Sequence, residues 1–322
     1  MHKSIRALKK IAGIISISAL TFSVQAVSLP CSTAKLVVPW GAGGDTDIVF
    51  RTFANAINKT GIKPQLQVVN VGGQGGVKGT TQVLKEKPDG CNLIAIHESL
   101  ITSYLTGRAK FTIDALVPVS LVSYTPSIIG ASTKAPFKTM KEMLAYAKGH
   151  PDAVPVGVSL GSTSHFIFLL IEDAANVKFR YVSYDGTAQR NTALLSGNVM
   201  MGETNVLSAK KYINEGSLNA LAIALDNRDA LIPDVPTLKQ TGVQVVYGLS
   251  RGIMLPKGTP AAVVAFWEDA ISKAAKDPAV IKSITEKGSM VMYKNAGDYG
   301  SFLKSSYDTH EKLAIKIGLY KK

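Results

Sequence analysis

The feature that most constrains the fold of this chain is a strand, a glycine-rich turn and a helix in direct succession near its start. The apolar run Leu36–Val38 ends at Pro39, and the turn after it leads into apolar residues at helical spacing between Ile48 and Ile57. Any residue of Asp45–Asp47 can cap that helix, so the helix should begin at one of them. The first backbone N–H groups of a helix lack partners within it, and the helix dipole adds positive potential there. Such a turn can hold a carboxylate without a basic side chain, although a plain strand–helix corner is the alternative.

The same pattern returns in the second half of the chain. The strand pattern of Val154–Ser159 is followed by a turn rich in hydroxyl groups and then by a helical pattern over Phe166–Ala175. Ser162, Thr163 and Ser164 can cap that helix and can also donate hydrogen bonds to an anion. Two turns suited to anions, one in each half, favour ligand binding over a plain corner.

A second glycine-rich segment, Asn70–Gly79, fails the nucleotide-binding patterns. Gly73 and Gly75 fit the first two positions of the dinucleotide fingerprint, but Lys78 stands at the third, and no Gly-Lys-Ser/Thr follows. We interpret the segment as a turn that closely approaches a ligand or a hinge, and Gly75 is therefore a candidate site residue. A flexible surface loop is the alternative.

Polar residues also follow the predicted strand Asn92–Ile96. In an open α/β sheet, residues just beyond the carboxyl ends of the strands line the binding crevice. His97 and Ser99 are site candidates for this reason. An exposed loop histidine without a partner is the more ordinary alternative.

The pattern of elements predicts an α/β protein with two domains. Two strands without an intervening helix lie between residues 116 and 131, with a polar break over Ser123–Ser127, and we interpret this break as a crossover between domains. The strand Val245–Met254 is interpreted as the return. The expected domains are residues 27–123 with 249–322, and residues 124–248, which suits a chain longer than one average domain. Gly197–Met201 is predicted to be a strand of the second domain.

The N-terminus has the pattern of a secretory leader. Residues 1–10 are basic, residues 11–22 are largely apolar, and small residues at Val24 and Ala26 suit a signal peptidase. We expect an exported protein cleaved after Ala26. A lipid-anchored alternative is disfavoured because Pro30 directly precedes Cys31.

Charge and residue spacing exclude several classes of function. Removal of the leader takes away four basic residues and no acid, so the formal charge of +13 falls to +9. The remaining excess is spread along the chain without a basic cluster, so nucleic-acid binding is not expected. A diffuse positive field suits the recruitment of small anions. The histidines show no metal-ligand spacing, and no metal site is expected.

The two cysteines are predicted to form a disulfide bond. An even pair in an oxidising, exported compartment favours a bond between Cys31 and Cys91 over two free thiols. Such a bond would attach the N-terminal extension to the strand that begins near Asn92.

An enzyme is the main alternative class. Ser162 or Ser164 with His165 could suggest an exported serine hydrolase. However, the chain has no Gly-x-Ser-x-Gly elbow there, and neighbours in sequence do not establish the geometry of a catalytic triad. We therefore expect no catalytic residues.

In its ordered set of motifs, the chain resembles the periplasmic solute-binding receptors of tripartite tricarboxylate transporters, often called Bug receptors. The resemblance covers nearly all of the chain after the leader. The motifs that carry it are Val38–Asp47, Gly72–Gly76, Lys87–Gly90, Gly161–His165, Tyr184–Gly186, Leu195–Val199 and Pro233–Leu238. The chain departs from the family pattern at His97–Ser99 and at Glu203–Asn205, and these departures bear on the substrate rather than on the class.

This resemblance implies a type II periplasmic-binding-protein, or Venus-flytrap, fold with two crossover strands. It also implies capture of a di-, tri- or aromatic carboxylate in the interdomain cleft by a periplasmic monomer without a cofactor, for delivery to the membrane permease subunits. A ligand-sensing subunit of a membrane signalling system is a further alternative. The expected ligand-binding residues are Trp40, Gly41, Ala42, Gly43, Gly44, Asp45, Thr46, Asp47, Gly75, His97, Ser99, Gly161, Ser162, Thr163, Ser164, His165, Tyr184, Gly186 and Asn205.

Overall fold

The computed structural model describes residues 28–321 of the chain. The predicted leader and its cleavage site after Ala26 lie outside the described residues. Within the described part, no helix is both long enough and apolar enough to cross a bilayer.

The chain folds as alternating strands and helices on two separate sheets. The first part contains β1 (Thr33–Val38), α1 (Asp45–Lys59), β2 (Gln65–Asn70), α2 (Val77–Val83), β3 (Asn92–Ile96), α3 (Ser99–Leu105) and β4 (Leu116–Pro126). The middle part contains β5 (Ile128–Ser132), α4 (Met140–Gly149), β6 (Pro155–Val158), α5 (Thr163–Ala175), β7 (Arg180–Ser183), α6 (Thr187–Ser196), β8 (Met201–Thr204), α7 (Val206–Asn214) and β9 (Leu218–Ile223). The last part contains β10 (Gly248–Pro256), α8 (Ala261–Lys276), α9 (Pro278–Thr285), β11 (Met290–Lys294) and α10 (Ala296–Lys316).

Each sheet forms the centre of one domain. The first domain has a six-stranded sheet in the order β11-β4-β10-β3-β1-β2, and the second has a five-stranded sheet in the order β7-β6-β8-β5-β9. In the first sheet β1 pairs in parallel with β2 and β3, and in the second sheet β6 pairs in parallel with β7 and β8. The carboxyl ends of these strands therefore point to the same edge of their sheet. The predicted α/β class with two domains is confirmed.

The two crossovers lie side by side between the sheets. One is the step from β4 to β5 at Ser127, whose backbone N–H donates to Tyr247 O at 3.2 Å. The other leads into β10, and there Tyr247 N donates to Ala224 O at 3.0 Å. The polar break was predicted over Ser123–Ser127, but in the structure only Ser127 lies between the strands. The other residues of that range belong to β4 and pair with β10.

Two further differences from the sequence prediction have clear local causes. The strand expected at Gly197–Met201 begins only at Met201, because Gly197 ends α6 in the left-handed conformation with φ of +80°. The elements α9 and β11 were not predicted, because α9 has only eight residues and follows α8 after the single residue Asp277, and β11 is a five-residue strand at the edge of its sheet.

The predicted disulfide bond between Cys31 and Cys91 is confirmed. It joins the segment before β1 to the residue before β3, close to a large apolar core. Trp267 of α8 is fully buried in that core, and its indole N–H donates to Gly90 O at 2.9 Å. The N-terminal extension is therefore attached to the framework that carries the site.

Candidate functional site

The amino ends of three helices meet around one small cavity between the domains. Helix α1 comes from the first domain, while α5 and α6 come from the second. The cavity has a volume of about 20 Å³, which is room for about one water molecule. The cleft is therefore closed in this structure.

The turn before α1 is held by Asp47. Its carboxylate accepts hydrogen bonds from Gly43 N (3.0 Å), Arg51 Nε (3.0 Å) and Asn70 Nδ2 (2.9 Å). Burial opposes ionisation of Asp47, but these hydrogen bonds outweigh burial and hold its pKa below the ordinary value. The helix begins at Asp45, as predicted, whereas its N-cap is Gly44 and not one of the three side chains expected to cap it.

Asp45 faces the opposite way, across the cleft. Its Oδ1 accepts from Thr187 Oγ1 at 2.8 Å, and its Oδ2 accepts from Asn205 Nδ2 at 3.0 Å and from Arg251 Nη2. Thr187 and Asn205 belong to the second domain, so Asp45 connects the two domains. Burial alone would raise its pKa, but Arg251 and Thr187 lower it below the ordinary value, and Asp45 is ionised.

Arg251 lies behind Asp45 on the returning strand β10, and its side chain is fully buried. It also donates to Thr46 Oγ1 at 3.0 Å and to Thr125 Oγ1 at 2.6 Å. The hydroxyl of Thr125 bonds in turn to Ser289 Oγ at 2.5 Å. The buried guanidinium of Arg251 therefore explains why the polar residue Thr125 lies in β4.

A second buried ion pair lies in the second domain. Arg190 of α6 donates through Nη2 to Glu203 Oε2 and to Thr187 Oγ1 (3.0 Å), and through Nη1 to Ser159 Oγ (3.2 Å). Its Nε donates to Glu203 O at 3.0 Å, and Ser127 Oγ donates to Glu203 Oε1 at 3.2 Å. Since Thr187 also bonds Asp45, the two ion pairs form one continuous network across the cleft.

We call Arg251, Asp45, Thr187, Arg190 and Glu203, in this bonded order, the cleft network. Burial, with repulsion by Asp45, raises the pKa of Glu203 to about 7 despite the attraction of Arg190. The network therefore contains a carboxyl group that titrates near neutral pH. The turns were expected to hold a carboxylate without a basic side chain, whereas the structure places Arg190 in the cavity lining and Arg251 behind Asp45.

The turn before α5 is organised by its own hydroxyl groups. Ser164 Oγ accepts from Ser159 N at 2.9 Å and bonds Ser162 Oγ at 3.0 Å. Ser162 is the N-cap residue, but its side chain makes no capping hydrogen bond. His165 Nδ1 accepts from Gly161 N at 3.2 Å, and burial lowers its pKa to about 4. His165 is thus engaged with the turn backbone, which is not the serine–histidine arrangement of a hydrolase.

Trp40 and His97 form the remaining wall of the cavity. Their rings stack with centroids 4.0 Å apart and an angle of 12° between the planes. His97 Nδ1 bonds Ser99 Oγ at 3.0 Å, and burial, followed by the charge of Arg251, holds the pKa of His97 well below the ordinary value. His97 is therefore buried, partnered and neutral, in contrast to the exposed loop histidine considered above.

The structure divides the predicted site residues into two groups. Those that line the cavity are Trp40, Gly41, Gly44, Asp45, Thr46, Asp47, His97, Ser162, Thr163, Ser164 and Gly186. Those that lie outside the cavity lining are Ala42, Gly43, Gly75, Ser99, Gly161, His165, Tyr184 and Asn205.

Several of the second group support the cavity from nearby. Asn205 bonds Asp45, and Tyr184 O accepts from Ser159 Oγ at 2.7 Å. Gly75 allows the domains to approach, since a Cβ atom there would lie 3.3 Å from Leu160 O in the other domain.

Sequence reasoning missed five cavity residues, namely Ser159, Thr187, Arg190, Glu203 and Leu249. Arg190 lies in the first turn of α6, which directly follows the motif Tyr184–Gly186. Arg251, behind the cavity, is a charge in an otherwise apolar strand. Both were signals that the sequence contained.

The comparisons with known proteins agree with this geometry. Residues 49–319 match the family model described as "Tripartite tricarboxylate transporter family receptor". The chain is 30% identical over 316 residues to the UPF0065 protein in the gbd 5'region of Cupriavidus necator, covering 95% of this chain and 94% of the relative.

Two solved structures are similar over most of this chain. The periplasmic binding protein BugD has a TM-score of 0.84 and 28% identity, over 90% of this chain and 99% of BugD. MatC from Rhodopseudomonas palustris with bound malate has a TM-score of 0.82 and 28% identity, over 87% of this chain and 98% of MatC. The predicted type II, two-domain fold of periplasmic binding proteins is confirmed.

Proposed function

We propose, since the chain belongs to the tripartite tricarboxylate transporter receptor family, that it captures a small carboxylate in its interdomain cleft. Membership of this family makes it a periplasmic solute-binding receptor and not an enzyme. Di-, tri- and aromatic carboxylates are the proposed ligands, and the membrane permease subunits of a tripartite tricarboxylate transporter are the proposed recipients.

The convergence of three helix amino ends on one cavity is the observation that supports this function most strongly. First-turn N–H groups have no partner inside their helix, and each amino end carries a partial positive charge of about half an elementary charge. Arg190 adds a full positive charge beside them, and hydroxyl groups of Ser162 and Thr163 line the same wall. Such a site binds carboxylate oxygens well. The solved relative MatC holds malate.

Capture requires the cleft to open, because about 20 Å³ cannot contain a dicarboxylate. We propose that residues 27–123 with 249–322 separate from residues 124–248 by a hinge motion at the two crossovers. The domains would then close on the ligand.

Tryptophan fluorescence offers a direct test, because the two tryptophans differ in position. Trp40 lines the cavity, whereas Trp267 is fully buried in the first domain. Titration with succinate, malate, citrate and benzoate should change the emission of Trp40 saturably, and the bound ligand should raise the melting temperature. In Trp40→Phe the emission change should disappear while the shift in melting temperature persists. No response to any member of a broader carboxylate panel would refute the proposal.

Two more measurements address the ligand and its recipient. Mass spectrometry of the denatured, purified protein should release a carboxylate that copurifies with it. The protein, proposed to act as a monomer cleaved after Ala26, should be retained by the permease subunits in a ligand-dependent way. Retention that is the same with and without ligand would contradict delivery.

A further inference from the structure

We propose that Asp45 binds an ammonium group of the ligand, so that the cleft selects amino carboxylates over plain di- and tricarboxylates. This inference rests on the proposed function and adds a second charge to the ligand. It is carried by the cleft network, in which carboxylates and guanidiniums alternate around the cavity.

Opening of the cleft leaves Asp45 short of donors. Of its three partners, Thr187 and Asn205 lie in the second domain, and only Arg251 is in the same domain as Asp45. Each carboxylate oxygen can accept two hydrogen bonds. A ligand that enters between the domains must therefore replace the donors that Thr187 and Asn205 provided. An ammonium group brings three N–H donors, whereas a second carboxylate brings only acceptors.

The charges around the cavity favour a ligand with a single net negative charge. When Glu203 is ionised, the charges of Asp45 and Glu203 balance those of Arg190 and Arg251 in the cleft network, while Asp47 is paired with Arg51 at 3.0 Å. The amino end of α1 faces its own two aspartates. The amino ends of α5 and α6 then leave an excess of about one positive charge. An amino dicarboxylate matches that excess, and succinate or citrate exceeds it.

Glu203 provides a second acceptor on the same wall. It lines the cavity beside Asp45, and its oxygens receive Arg190 and Ser127. The charged groups that act on it are Arg190 on α6, Asp45 on α1 and Arg251 on β10. A ligand ammonium near Asp45 would stabilise ionised Glu203, whose pKa is about 7, and would oppose the proton uptake that the ligand carboxylates favour. Binding of a plain dicarboxylate should therefore take up more protons than binding of its amino partner.

Matched ligand pairs test this inference in the wild-type protein. Isothermal titration at pH 7 should show that L-aspartate binds at least about tenfold more tightly than succinate. L-Glutamate should exceed glutarate by the same factor, because each amino compound makes one additional charge-assisted hydrogen bond. Repeating the titrations in phosphate and Tris buffers should show less proton uptake with each amino compound than with its plain partner.

The variant Asp45→Asn keeps the size of the side chain and removes its charge. It should weaken L-aspartate binding at least about tenfold more than it changes succinate binding, because only the amino compound loses a charge-assisted hydrogen bond. Asp269→Asn, an exposed aspartate paired with Lys273 on α8, is the control and should change neither ligand.

Three outcomes would overturn the inference. The first is tighter binding of succinate and glutarate than of their amino partners by the wild type, which leaves the carboxylate proposal intact. The second is an equal loss of both members of a pair in Asp45→Asn, which would indicate a structural role for Asp45. Failure of every carboxylate to bind would overturn the proposed function as well. The wild-type comparison does not depend on the stability of any variant.

Discussion

Glu98 should make the folded protein less stable as the pH rises towards neutrality. Its carboxylate is buried next to His97, where both oxygens accept the Ser250 N–H of the returning strand at 3.1 and 3.0 Å. Burial raises the pKa of Glu98 from 4.5 to about 7, in spite of the hydrogen bond from Ser250 and the attraction of Arg251. The perturbation we consider is Glu98→Gln, which keeps the shape and removes the titration.

The sign follows from proton binding. Below pH 4.5 Glu98 is protonated in the folded and unfolded chains alike, and between pH 4.5 and about 7 only the folded chain keeps the proton. Stability therefore falls as pH rises through this window. At about 1.4 kcal/mol per tenfold change in the acid constant, ionised Glu98 costs the folded protein about 3 kcal/mol at pH 8. Relative to wild type, Glu98→Gln should gain about 2 kcal/mol between pH 5 and pH 8.

Urea unfolding followed by circular dichroism at several pH values between 5 and 8 measures this gain. The histidines His97, His165 and His310 have lowered pKa values and change stability in the opposite direction, but both proteins share them, so their effects cancel in the difference. Glu86→Gln, at an exposed glutamate, is the control. A difference between Glu98→Gln and wild type that stays constant from pH 5 to pH 8 would refute the reasoning.

Two further predictions concern the framework and the closure of the cleft. Reduction of the Cys31–Cys91 bond, which spans 60 residues, should cost up to about 4 kcal/mol of unfolding free energy in urea titrations, while the double serine variant should not respond to reductant. Gly161→Ala should weaken ligand binding about tenfold, because the new Cβ would lie 2.2 Å from Arg108 Cδ of the other domain. Gly216→Ala has a similar positive φ of +70° but open space around it, so it should lose stability without losing affinity. Equal affinities of the two variants would contradict a role for Gly161 in closure.

The sequence was most informative where structure is local. A strand, a glycine turn and a helix involve neighbouring residues, so the corners at Val38–Asp45 and Val158–Thr163 could be located to within a residue or two. The disulfide bond followed from the number of cysteines and the predicted compartment. The fold class followed from the alternation of the elements, because helices between parallel strands must cover both faces of a sheet.

The cleft network could not be predicted in the same way, because its partners are far apart in the chain. Asp45 and Arg251 are separated by 206 residues, and Asp45 and Thr187 by 142. One part of it was nevertheless open to inference. Side chains two positions apart on a helix point about 200° apart, so Asp45 and Asp47 could not both face the same turn. Asp47 binds its own turn, and Asp45 faces the other domain.

The contacts between the domains are of two kinds. Leu105 of α3, Phe166 of α5 and Ala314 of α10 belong to one apolar cluster that includes residues of both domains. The domains also meet through hydrogen bonds such as those from Thr187 and Asn205 to Asp45.

We expect these two kinds of contact to keep the free-energy cost of opening the cleft small. Each hydrogen bond exchanged for water changes stability by only about 1 kcal/mol, whereas separating packed apolar side chains costs more. We therefore expect that an opening motion that keeps the apolar contacts and exchanges the polar ones for water costs only a few kcal/mol. A ligand that bonds both domains needs to add only that amount to favour closure, and an ammonium on Asp45 with a carboxylate on α5 and α6 would do so from both sides.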